Sequence, residues 1–247
     1  RIMAEAMGRL LEQDVIIQQD YFAVTESWKT NTMDEAGFGM EGIAELYLGT
    51  GDPRIAEIGR KYIDQLIRYF EMPDGTWARN YFRHSRLVEP PFDLTRGAGW
   101  AMMGISSAAR MGLGEEYLEK CRRMASVLMK YQNEDGSWWY RFSEADPVNG
   151  IAEKGTAVWT VMFYRLYKMM GDTQYLETAR KGLSWLINSQ YKGADRDGRG
   201  GVPVSGPMSG VSYRPFFRMA CQYTAGFLGL ALMEELSLES RDNEKKG

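Results

Sequence analysis

The chain has 247 residues, of which 44% are hydrophobic and 13% aromatic, and this predicts one large domain over residues 1–247. The net charge of −3 and the pI near 5.5 exclude the basic excess expected of nucleic-acid binders and of proteins that bind anionic membranes. No stretch approaches the roughly 18 consecutive apolar residues of a membrane span, so we expect no membrane partner. The chain begins at Arg1, which leaves the compartment open, with a cytoplasmic location as our expectation. The oligomeric state stays open as well.

Helical periodicity runs along the chain from its start. The first 18 residues alternate charged and apolar positions as an amphipathic helix does. Three pairs of helical patterns follow, and then a last helix, at roughly 38–47 with 55–67, 97–111 with 116–131, 153–170 with 174–189, and 219–237. This makes about eight helices, and no strand pattern is long enough to compete with them.

Two kinds of turn repeat between these helices. Asp-Gly pairs recur at Asp74, Asp135 and Asp197, which are 61 and 62 residues apart. Short turns at Gly51-Asp52, Gly114-Glu115 and Gly171-Asp172 separate the two helices of each pair. Each repeat is therefore a helix, a short glycine turn, a second helix and a long loop.

Inner helices of toroids built from helical hairpins are rich in glycine and alanine, whereas the outer helices carry the charge. Small residues let helices approach closely around a narrowing axis, and 97–104 and 225–231 have this composition. The sequence thus predicts an all-α, (α/α)6-type toroid of antiparallel helical hairpins. A closed ring needs twelve helices, so either the N-terminal hairpins are absent or the ring is open.

Four segments, in order, resemble the unsaturated uronyl hydrolases of the six-hairpin glycosidase superfamily. Residues 34–52 are similar to a family segment that begins with two aspartates and ends in Thr-Gly-Asp. Residues 96–101 resemble the family's Arg-Gly-Asn-Gly-Trp motif, 153–157 its Glu-x-Ser-Gly-Thr-Ala helix start, and 223–228 its last glycine-rich helix. The resemblance extends over roughly residues 30–235, and its weight lies in the ordered set.

The resemblance implies a hydrolase of 4,5-unsaturated uronyl oligosaccharides, and therefore an acidic oligosaccharide as its binding partner. In that family an aspartate protonates the sugar double bond while water adds across it, and the glycosidic link collapses through a hemiketal. The matching aspartate is Asp34, and Glu35 stands where many members have a second aspartate. From the residues alone, Asp34 is equally a first-turn acid favoured by the helix dipole. The family's separate N-terminal aspartate has no match in this sequence.

Arg96 and Trp100 lie four residues apart, on one face of a helix. The functional interpretation is an arginine that binds the uronate carboxylate beside a tryptophan that stacks on the sugar. A helix-start arginine and a core tryptophan are the structural alternative. Because helices of successive repeats begin near residues 34, 96 and 153, we expect Asp34, Arg96 and Glu153 to share one mouth, with the short glycine turns at the opposite end.

The long loops supply further candidates for substrate binding. His84 is the only histidine and lies on the loop that leads to Arg96. Trp139 and Tyr140 do not recur at the repeat spacing, unlike Trp77 and Trp138, which we expect to fasten their turns to the hairpins. Tyr213 and Arg214 lie in a loop rich in glycine, serine and proline that we expect to cover the site.

One histidine and two cysteines give no metal-binding pattern, so we expect neither a metal site nor a cofactor. Two alternatives to the hydrolase remain. One is an acidic-polysaccharide lyase or uronate epimerase on the same scaffold, in which Tyr213 and Arg214 matter more than Asp34. The second is a non-catalytic module that only binds glycan.

Overall fold

The computed structural model describes the following residues, of which 31–36 are described through their backbone: 21–22, 27–28, 31–78, 80–82, 87–88, 98–139, 151–194, 196–197, 199–202 and 222–244. The helices within these ranges are α1 (Met33–Thr50), α2 (Pro53–Phe70), α3 (Gly99–Arg110), α4 (Glu115–Lys130), α5 (Glu153–Met170), α6 (Thr173–Ser189) and α7 (Gln222–Glu244). The all-α prediction is confirmed. The helix predicted over residues 1–18 lies outside the described residues.

Short strands occur only in the connections of the described chain. They are β1 (Tyr21–Phe22), β2 (Ser27–Trp28), β3 (Asn31–Thr32), β4 (Asn80–Phe82) and β5 (Leu87–Val88). β1 and β2 form an antiparallel pair, and β3, β4 and β5 form a three-stranded antiparallel sheet in that order. Because β3 runs directly into α1, this small sheet holds the start of that helix.

The short glycine turns join helices by the same chemistry in the first and third repeats. Gly51 and Gly171 have φ of 65° and 74°, a left-handed conformation that costs glycine least. Their amides donate to Tyr47 and Tyr167 of the preceding helices. The next residue is in each case an aspartate, Asp52 or Asp172, whose carboxylate accepts from a backbone amide two residues on.

The second short turn differs from the first and third in the position of its left-handed glycine. The left-handed glycine there is Gly112, with φ of 70°, rather than Gly114. The amide of Gly112 donates to Ala109 as α3 ends, and α4 begins at Glu115. Gly114, two residues further on, is the glycine that precedes an acidic residue, as Gly51 and Gly171 do.

The chain divides into two compact units, Arg1–Val127 and Leu128–Gly247, and each is described by itself. In the first unit α1 and α2 form an antiparallel hairpin, in which Gly39 faces Tyr62 and Gly59 faces Ile43. α4 lies beside α2, and Tyr117 donates a 2.7 Å hydrogen bond to Asp64.

The second unit repeats this arrangement. α5 and α6 are antiparallel, with Gly182 against Thr160 near one end and Tyr175 against Phe163 towards the opposite end. α7 packs on α5 in the same direction, because Lys154 contacts Tyr223 at their starts. Further along, Tyr164 contacts Glu235. Helical hairpins are therefore present in both units, as the repeat predicts.

Burial distinguishes α3 and α5 from α6. Every residue of α3 from Gly99 to Ala108 is buried, and so is nearly all of α5 from Gly155 to Leu166. α6 instead buries one stripe of residues three or four apart: Tyr175, Thr178, Ala179, Gly182, Leu183 and Leu186. α3 is therefore an inner helix, as the composition of residues 97–104 predicts, and α5 is buried in the same way.

Candidate functional site

The inner helices α1 and α3 run parallel and touch through their backbones. A methyl group on Gly37 would lie well inside 3.0 Å of the Trp100 carbonyl group, and a Cβ atom built on Gly104 would lie 3.5 Å from the Gly37 Cα. At the far end Arg110 pairs with Glu45 at 2.6 Å. The first turns of α1 and α3 therefore lie at the same end of this pair.

Asp34 and Glu35 lie in the first turn of α1, directly after β3. An acid in this position is favoured by the helix dipole, which acts on the first turn. Gly51 follows the last turn of this 18-residue helix, about 27 Å away at 1.5 Å per residue. Within this repeat the short glycine turn thus lies at the opposite end from Asp34, as predicted.

His84 and Arg96 lie outside the described residues, and their proposed roles stay predictions. β4, which ends two residues before His84, is described and pairs with β3 through Asn31 and Tyr81. The strand before His84 therefore lies beside the strand before Asp34. α3 begins at Gly99, three residues after Arg96.

Trp100 is an interior residue with an aromatic neighbour. Its side chain is 2% exposed, and its ring lies 4.7 Å from that of Phe38, at an interplanar angle of 40°. Phe38 is 38% exposed and follows Asp34 by four residues, which is one helical turn. In the sequence, Phe38 is only one apolar position of a helical pattern. Its exposure depends on how helices distant in sequence pack around it.

The second unit also brings two helix starts together. Glu153 is the first residue of α5, half-buried, with its Oε2 atom enclosed. The neighbouring Lys154 places its Nζ 4.6 Å from the ring centre of Tyr223 in the first turn of α7, a cation–π contact. No sequence pattern indicated this contact between distant residues. A mouth shared by Asp34, Arg96 and Glu153 stays a prediction.

The two tryptophans at the Asp-Gly-Ser-Trp turn, Trp138 and Trp139, differ in burial, as predicted. Trp138 is fully buried, donates its indole N–H to the Leu128 carbonyl at 2.9 Å, and stacks on Phe163. Trp139 is half-buried and pairs with Ile151 through an isolated β-bridge. Trp138 therefore fastens the turn, whereas Trp139 reaches solvent.

Tyr140, Tyr213 and Arg214 lie outside the described residues. That the loop with Tyr213 and Arg214 covers the site stays a prediction. The binding role of Trp139 is likewise untested by its placement.

In the first two Asp-Gly turns, the aspartate side chain accepts hydrogen bonds from a residue of the same turn. Asp74 accepts from the hydroxyl and the amide of Thr76, at 2.5 and 2.9 Å, and these bonds hold the pKa of Asp74 below its usual value. Asp135 accepts from Ser137 in the same way. Both carboxylates are structural.

The described residues contain no group of three or more histidine, cysteine, aspartate or glutamate side chains able to hold a metal ion. None of the helices in the described ranges is long and apolar enough to cross a bilayer.

Similarity to known proteins is found in the fold and not in the sequence. No family model matches the sequence, and no curated protein is significantly similar to it. Solved structures are similar at low identity. The unsaturated glucuronyl hydrolase of Bacillus sp. GL1, responsible for the degradation of glycosaminoglycan, superimposes with a TM-score of 0.70 at 13% identity, over 93% of this chain and 65% of that one.

Two further structures extend this likeness. A glycosyl hydrolase family 88 protein from Bacteroides vulgatus gives a TM-score of 0.67 at 18% identity, over 95% of this chain and 68% of that one. A polysaccharide lyase gives 0.66 at 18% identity, over 96% and 68%. The chain thus spans about two thirds of the length of these proteins. The chain shares its fold with these proteins, as the ordered motifs implied.

Proposed function

We propose that this chain is a glycoside hydrolase acting on 4,5-unsaturated uronyl oligosaccharides, with Asp34 as the acid and base. The observation that carries the proposal is the position of Asp34, in the first turn of α1 and at the end where α1 and α3 both begin. The fold shared with hydrolases of such sugars supports the same substrate class.

In this proposal the Asp34 carboxyl group donates its proton to one carbon of the sugar double bond, and a water molecule adds to the second carbon. The water proton returns to the Asp34 carboxylate. The resulting hemiketal opens and releases the rest of the oligosaccharide. Arg96 binds the uronate carboxylate, where a guanidinium provides two parallel hydrogen bonds, and Glu35 and His84 complete the polar surroundings.

The test is incubation with unsaturated disaccharides produced by polysaccharide lyases, followed by loss of the ultraviolet absorbance of the double bond. Asp34→Asn should abolish this loss and leave the far-ultraviolet circular dichroism unchanged. Glu45→Gln is the matched control, because it neutralises an exposed carboxylate at the far end of the same helix. If Asp34→Asn turns over substrate like the wild type, Asp34 is only a first-turn helix acid.

A lyase is the second candidate, and the similarity to a polysaccharide lyase favours it over an epimerase or a binding module. The hydrolase and the lyase have opposite readouts, because a lyase creates the unsaturated chromophore that the hydrolase removes. An epimerase leaves the absorbance unchanged and alters the sugar composition. A module that only binds glycan changes neither.

A further inference from the structure

Phe38 is an exposed aromatic residue on an otherwise well-covered part of α1. Its neighbours Gly37 and Met40 are buried, yet Phe38 is 38% exposed. It follows Asp34 by one turn of the helix, so the two residues lie on the same side of α1. Exposed apolar side chains are common singly, so this exposure needs a second observation.

The second observation is that the Phe38 ring is held in place from behind. It packs against the ring of Trp100 at 4.7 Å, and Trp100 is itself 2% exposed. The backbones of α1 and α3 touch at Gly37 and Trp100, which fixes the distance between the helices that carry the two rings. Phe38 is therefore an ordered apolar surface, which a ligand can use without having to immobilise it.

The chemistry of a pyranose fits such a surface. One face of the sugar ring presents C–H groups, and its rim carries hydroxyl and carboxylate groups. An aromatic ring removes the C–H face from water while the polar rim stays available for hydrogen bonds. Leu46 and Leu48 are also exposed on α1, but they lie two or more turns further from Asp34 and have no flat ring.

Resting on the proposed function, we infer that Phe38 is the residue on which the substrate sugar stacks, with the buried Trp100 ring behind it. The stacked sugar then lies within one helical turn of Asp34. This gives the site an aromatic residue that determines substrate binding and to which the resemblance assigns no role.

The test separates binding from turnover. Phe38→Leu keeps an apolar side chain but removes the flat ring, so we expect KM to rise about tenfold, with kcat changed far less. Phe38→Tyr should restore KM to within about twofold. Leu48→Ala is the matched control, because it truncates an apolar residue that is 50% exposed on the same helix, and it should leave KM unchanged.

Titration calorimetry in the Asp34→Asn background measures disaccharide binding without turnover. Phe38→Leu should weaken binding about tenfold there too. If the wild type binds uronyl disaccharides without converting them, and Phe38→Leu weakens that binding, the stacking role holds and the proposed reaction fails. If the wild type converts substrate and Phe38→Leu leaves both KM and calorimetric binding unchanged, the stacking role is overturned. Absence of both binding and turnover in the wild type refutes both.

Discussion

The Asp-Gly turns of the first two repeats share the pattern Asp-Gly-x-Trp, their hydrogen bonds and their left-handed glycine. They differ in what packs against that glycine. Gly75 has φ of 85°, and a Cβ atom there would meet the Arg123 side chain at 3.3 Å. Gly136 has φ of 94°, and a Cβ atom there would lie far inside 3.0 Å of the backbone of Lys181 in α6. A flexible guanidinium can move aside, whereas the backbone of a packed helix cannot.

Alanine at these two positions should therefore have unequal costs. Both variants carry the left-handed strain, about 1–3 kcal/mol. Gly136→Ala must also displace a helix backbone, which adds about 1–3 kcal/mol. We expect Gly136→Ala to unfold at a urea concentration lower than that of Gly75→Ala by roughly 1 M, for a denaturant slope of about 2 kcal/mol per M.

The measurement is urea unfolding followed by far-ultraviolet circular dichroism and tryptophan fluorescence. Asparagine provides the internal control, because it tolerates positive φ but still carries a Cβ atom. Gly75→Asn should be nearly as stable as the wild type, and Gly136→Asn should remain strongly destabilised. Equal losses for the two alanine variants would show that the contact with α6 constrains nothing, and the reasoning would be wrong.

Four further substitutions test the packing and the charges. Gly37→Ala should lower the urea midpoint strongly, because its methyl group overlaps the backbone of α3, whereas Gly42→Ala, with open space around it, should raise stability by up to about 1 kcal/mol. Trp138→Phe should cost about 1–3 kcal/mol in urea unfolding, because the buried side chain loses its hydrogen bond to the Leu128 carbonyl and the smaller ring leaves a cavity. Burial raises the pKa of Glu235, but hydrogen bonds from Arg180 and a tyrosine outweigh it, so the pKa lies below the usual 4.5. The contribution of Glu235 is therefore present above about pH 4.5 and lost as the pH falls through the lowered pKa, and urea midpoints across this range should fall less for Glu235→Gln than for the wild type.

The turns were predictable because local chemistry dictates them. A left-handed residue at a helix end favours glycine, and an aspartate after it caps the next helix, so Gly51-Asp52 and Gly171-Asp172 could be predicted directly from the sequence. The second turn contains two glycines, and the sequence pattern alone does not show that Gly112 is the left-handed one. Recurrence at the repeat spacing separated buried Trp138 from half-exposed Trp139.

The candidate site was less predictable, because its geometry depends on contacts between residues distant in sequence. The pairing of Phe38 with Trp100 follows from the close approach of α1 to α3, which the glycine content suggests only in general terms. The contact of Lys154 with Tyr223 likewise joins residues of two different helices. The order of the motifs predicted the fold and indicated Asp34 as a candidate. The sequence alone does not distinguish an exposed ring from a core residue in an apolar helix.

The burial of α3 on all sides has a consequence for how substitutions are tolerated along the chain. α6 meets the core along one stripe, so a saturation mutagenesis scan should show sensitivity that rises and falls every three to four residues. In α3 from Gly99 to Ala108 there is no solvent-facing position, and the same scan should give an unbroken plateau of intolerance to charge. The spacing of tolerant positions along the sequence would then distinguish outer helices from inner ones.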